Sequence, residues 1–134
     1  MRLATKTATL LALAAGAHAA LITVGGDSGW TPGASIANFS VNMGDTLLFN
    51  YGPFDDVWLI PDANATMSCD FSHALLLADR NASPLAFNAT FPGTVGFASS
   101  APGHCLEGQR VVITVRTTAP PQRCAAHFLA MDSC

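Results

Sequence analysis

The sequence predicts an all-β protein: a two-sheet Greek-key β-sandwich, antiparallel or mixed, with space for one short helix. Two observations predict it. Beyond residue 20 the apolar residues fall in short runs separated by Gly, Pro, Asn and Asp. The last of these runs alternates strictly: Val111, Ile113 and Val115 against Val112, Thr114 and Arg116. Strands of this length and spacing indicate a sandwich or barrel.

Each run takes its place in order. Leu21 to Val24 is the first, closed by Gly25 and Gly26. Phe39 to Val41 is the second, and Thr46 to Tyr51 the third. Val57 to Ile60 is stopped by Pro61. Ala86 to Phe91 and Thr94 to Ala98 flank Pro92 and Gly93, a hairpin turn or a tight bend. Ser72 to Asp79 is the one helix-like stretch; its apolar centre suits a short helix or another buried strand.

The two ends differ from this pattern. Arg2 and Lys6 precede an apolar run from Ala8 to Ala17, and Ala17-His18-Ala19 is a small-x-small signal. Residues 1–20 therefore read as a secretory leader, cut after Ala19 or Ala20. Residues 117–134 read as a tail set off by Pro120 and Pro121 and carrying Cys124 and Cys134. It offers no apolar run suited to a transmembrane helix or a lipid anchor. The domain is placed at 21–116.

Composition supports export. Beyond the leader, four arginines face nine acidic residues, a formal charge of −5. That balance argues against nucleic acid as a partner. The four cysteines (Cys69, Cys105, Cys124 and Cys134) read as disulfides, with three pairings open. Asn38, Asn64 and Asn88 head open glycosylation sequons, and Asn81 heads one weakened by Pro84.

Three segments stand in a telling order: Val24-Gly-Gly-Asp-Ser-Gly-Trp30, Met43-Gly-Asp-Thr-Leu-Leu-Phe-Asn-Tyr51 and Pro102-Gly-His-Cys-Leu-Glu-Gly-Gln109. Together they resemble the phytocyanins, plant-type blue copper proteins of cupredoxin fold, over about residues 22–116. The resemblance implies a Cys69–Cys105 disulfide near the metal site, leaving Cys124 and Cys134 for each other or for another molecule. It also implies four ligand positions. His104 and Gln109 match an imidazole and the axial group. Asp55 stands where a His is expected, and Ser99 where the Cys is expected.

A serine hydroxyl cannot supply the soft thiolate bond of blue copper. The loss is like that in early-nodulin-like relatives of the family. The expectation is a secreted, non-redox binding or structural module without a cofactor, facing an extracellular glycan or protein. The alternatives are copper electron transfer, or a weak divalent site on Asp55, His104 and Gln109. Ser99, His104 and Asp55 also make up the residue set of a hydrolase triad. No donors for an oxyanion are evident, and no catalytic residue is assigned. Trp30, Trp58 and Met43 read as packing residues, and His73 and His127 as surface or packing residues.

Overall fold

The structure, a computed structural model, describes residues 19–117; the leader up to residue 18 and the tail beyond 117, with His127, Cys124 and Cys134, lie outside the described residues. Eight strands follow in chain order: β1 (Leu21–Thr23), β2 (Phe39–Asn42), β3 (Thr46–Phe49), β4 (Val57–Ile60), β5 (Leu75–Ala78), β6 (Leu85–Asn88), β7 (Gly93–Ala98) and β8 (Arg110–Arg116). They form two mixed sheets. The smaller has the order β1-β3-β6 and the larger β2-β8-β7-β4-β5. β1 runs parallel to β3 and β2 parallel to β8; the other pairings are antiparallel.

The alternation predicted for the last strand orients β8. Val111, Ile113 and Val115 point into the space between the sheets, with Leu47, Phe49, Val57 and Phe97. Trp30, Phe49, Phe97 and Phe87 pack in a row, successive ring centroids 5.0–5.1 Å apart. Edge-on and tilted contacts of this kind add to area burial because ring edges are positive and faces negative. Trp30 is thus a core residue, as its sequence context suggested.

The structure decides two alternatives that the sequence left open. Of a short helix or a strand at 72–79 the strand is found, and the α-helix lies elsewhere. It is α1 (Ala63–Met67), begun by Asp62, whose side chain accepts the Ala65 N–H at 2.8 Å. Leu75 to Ala78 form edge strand β5 instead, with Leu75 and Leu76 exposed rather than buried. Of the hairpin turn or tight bend read at Pro92-Gly93, the bend is found, because β6 and β7 belong to different sheets.

Helix α1 covers the outer face of the larger sheet. Ile60, Ala98 and Cys105 form a second core there, joined by Ala65, Cys69 and Phe71. Val112, on the face of β8 opposite Val111 and Ile113, is buried as well. The close approach depends on Gly96. A Cβ there would fall 1.7 Å from Thr66 Oγ1 and 2.6 Å from Thr66 Cβ. Thr66 is fully buried and its hydroxyl donates to Asp62 O, so it has no free rotamer to move into. No helix among the described residues is long and apolar enough to cross a membrane.

Gly96→Ala is expected to destabilise the fold by about 1–3 kcal/mol through overpacking, read by urea denaturation. Adding Thr66→Ala should restore only part of the loss, since the Thr66 Cβ itself is in the way.

Candidate functional site

Three segments meet at one end of the sandwich: the loop between β3 and β4, the start of the β7–β8 loop, and the entry to β8. Trp30 ties them together. Its N–H donates to Asn50 O at 2.8 Å and its indole Nε1 to Asp56 O at 2.9 Å. Its carbonyl accepts from Gln109 Nε2 at 3.0 Å. The disulfide between Cys69 and Cys105 adds a covalent link, with Cα atoms 6.0 Å apart. It holds the β7–β8 loop to the turn after α1.

The structure brings Asp55, Ser99 and His104 into one cluster. His104 Nδ1 lies 2.6 Å from Asp55 Oδ1, with the imidazole side chain 27% exposed and the carboxylate 9%. Ser99, fully buried, donates its hydroxyl toward the same Asp55 oxygen at 3.2 Å. Asp55 is therefore the hub, and the residues run in the order Ser99–Asp55–His104. A hydrolase relay needs histidine between serine and aspartate, within reach of the serine oxygen. Here the carboxylate occupies the middle and the hydroxyl is sealed from solvent.

Asp56 has a separate role that sequence reasoning missed. Its carboxylate accepts from Ser100 N at 2.7 Å, Ser100 Oγ at 2.6 Å and Trp58 Nε1 at 3.0 Å. It thus latches the two site loops together. The adjacent carboxylates were the visible signal, and the family register singled out Asp55, but no residue type marks Asp56 as the latch between the loops. Nearby, Tyr51 donates its hydroxyl to Asp79 O at 2.8 Å. Burial, with the Asp79 and Asp56 carboxylates, raises its phenol above the ordinary range. His73 is exposed, and Met43 packs against the core.

Blue copper needs a thiolate and two imidazoles with a weak axial donor. The donors present are a carboxylate, a hydroxyl, one imidazole and an amide oxygen. That set does not fit. The His104 nitrogen facing the cluster is taken up by Asp55, and the disulfide holds Cys105 away from a ligand role. No group of three or more His, Cys, Asp or Glu placed to hold a metal occurs among the described residues. One atom stands apart. Gln109 is fully buried and its Nε2 is committed to Trp30 O, which leaves Oε1 without a hydrogen-bond partner.

Beside the cluster opens a cleft of about 450 Å³ lined by Phe54, Asp56, Arg80, Ser100, Pro102 and His104 among others. Phe54 and, in the same loop as His104, Leu106 are each 72% exposed.

Sandwich and site together define a cupredoxin-type protein with an altered metal end. No protein-family model matches the sequence. It is 35% identical to early nodulin-like protein 8 of Arabidopsis thaliana over 94 residues, 70% of this chain and 48% of that one. The chain thus spans about half the length of that curated relative. Among solved structures, cucumber basic protein, a blue copper protein, superposes with a TM-score of 0.58 at 25% identity, over 71% of this chain and 98% of that one. Cucumber stellacyanin with Cu2+ gives 0.62 at 21%, over 77% and 100%. Spinach plantacyanin gives 0.54 at 21%, over 72% and 99%. The chain belongs to the phytocyanin family of cupredoxins.

Removing the hub leaves His104 and Ser99 without their shared acceptor. Asp55→Ala is expected to cost about 1–3 kcal/mol of stability, measured by denaturant melts. A double-mutant cycle with His104→Ala should return a favourable coupling.

Proposed function

We propose that this chain is a non-redox extracellular module of the phytocyanin family. In it a carboxylate–imidazole pair links the two site loops, as a metal does elsewhere in the family. The observation that carries the reading is the 2.6 Å contact between His104 and Asp55, with Ser99 bonded to the same oxygen. The cluster satisfies its own polar groups, and it lacks the soft donor on which copper electron transfer depends. The neighbouring cleft, with exposed Phe54 and the cationic Arg80 on its wall, suits a polar partner bearing a flat apolar face. An extracellular glycan or protein fits that description. The chain acts by binding and not by catalysis. Export rests on the leader pattern of residues 1–20 and on the disulfide, which an oxidising compartment favours.

A second reading has one observation behind it. The unpartnered Gln109 Oε1 is a buried oxygen suited to a cation, and with Asp55 and His104 it offers a weak, oxygen-rich divalent site. Metal titration separates the two readings.

The purified protein, titrated with Cu2+ and assayed by visible absorption and metal analysis, is expected to show no intense charge-transfer band and no stoichiometric copper. Asp55→His combined with Ser99→Cys, keeping His104 and Gln109, is expected to gain both. A strong band from the unaltered protein would sink the proposal; tight binding of a divalent ion without that band favours the second reading.

A further inference from the structure

At the far end of β3 and β8 from His104, a buried carboxylate meets the start of the folded chain. Asp45 is 5% exposed. Its Oδ1 accepts the Ala20 N–H at 2.9 Å and its Oδ2 the Asn42 N–H at 2.8 Å. Its own backbone is held on both sides, N–H to Asn42 O and carbonyl from Ala89 N–H. Ala20 is held too, because its carbonyl accepts from Thr46 N at 2.9 Å. Neither group can turn away from the other.

Among the described residues Asp45 has no counter-charge, and the one ion pair is His104–Asp55. The elements around Asp45 (β1, the β2–β3 turn, and the ends of β6 and β8) carry one other charged side chain, Arg116, which is exposed and makes no ion pair with it. A carboxylate withdrawn from water is held here by two amides, and an adjacent cation would replace one neutral donor by a charge-assisted one.

We propose that the leader is cut between Ala19 and Ala20, and that the new terminal ammonium of Ala20 docks on the buried Asp45 carboxylate as a partly buried ion pair. Water adds across the Ala19–Ala20 amide under the export machinery's leader peptidase. The released leader keeps a carboxylate, and Ala20 becomes an ammonium. The nitrogen already on Asp45 thereby gains a full charge where it lies. The local sequence agrees, since this cut sets Ala17 and Ala19 at the two small-residue positions. A cut one residue later would set His18 at the first of them and remove the donor from Asp45 Oδ1. Ala19 and Ala20 are both exposed, so the bond is open to a protease. Maturation then completes the fold: the uncut chain offers Asp45 a neutral amide, and the cut chain a cation.

The inference rests on the export reading, and the test separates the two. N-terminal sequencing of the protein secreted under its own leader is expected to begin at Ala20. A start at Leu21 or elsewhere overturns the assignment, and a chain left unprocessed overturns the export reading with it. The ion pair is tested on the secreted protein. From Ala20 onward the chain has no lysine, so amine-selective acetylation reaches the α-amine alone. At pH 6 the acetylated protein is expected to melt about 4–8 °C lower than the free-amine form. Pairing raises the ammonium's pKa, so its stabilisation is complete below about pH 8 and fades as pH climbs above that. The melting gap should therefore close toward pH 10. Asp45→Asn should abolish it; if that variant does not fold, the acetylation comparison decides alone. Equal melting of the two forms at pH 6 overturns the pairing.

Discussion

Asp55 and Asp56 place two carboxylates side by side at one end of the sandwich, and each must find donors. Asp56 turns toward Ser100 and the Trp58 indole and Asp55 toward His104, while the Ser99 hydroxyl lies between them, 3.2 Å from Asp55 Oδ1 and 3.4 Å from Asp56 Oδ1. This arrangement fixes the β7–β8 loop against the β3–β4 loop, and both rest on Trp30. The shape of the neighbouring cleft follows from it, because Asp56, Ser100 and His104 line its wall. Polar satisfaction here organises the surface as well as the interior.

Much of the sheet architecture was legible because its signal is local. Alternation in β8 and the turn residues around β4 mark strands whatever lies next to them. The helix was missed for the opposite reason. Five residues of Ala63–Met67 carry too little periodicity to register, and the useful clue was a capping aspartate after Pro61. Leu75 to Ala78 misled because a run of apolar residues suggests burial, whereas two of them lie exposed on an edge strand. Val112 is buried although it alternates with the core-facing residues of β8, since this face of the larger sheet is covered as well.

At the site, family register brought forward Asp55, Ser99, His104 and Gln109, and the fold gathers the first three around one oxygen. Their order about that oxygen was not legible, because it depends on which way two loops turn. Nor was the orphaned Gln109 Oε1, which exists only because Trp30 O claims the amide nitrogen. Such facts are properties of packing, and no single residue type announces them.

Thr66 packs against Gly96, and that packing has a consequence for the order of events in the chain's life. Thr66 is also the third residue of the sequon begun by Asn64. Asn64 is exposed, yet its threonine is sealed beneath α1 with its hydroxyl bonded to Asp62 O. An oligosaccharide transferase has to engage both residues in an extended acceptor. On the export reading, a transferase at Asn64 would compete with helix docking, and sugar would be added only while this stretch of chain is still loose. At Asn88 the partner residue Thr90 stays exposed, and the constraint is instead the pairing of Asn88 with Thr46. Occupancy at Asn64 would act as a clock, recording how long the larger sheet waited for its helix.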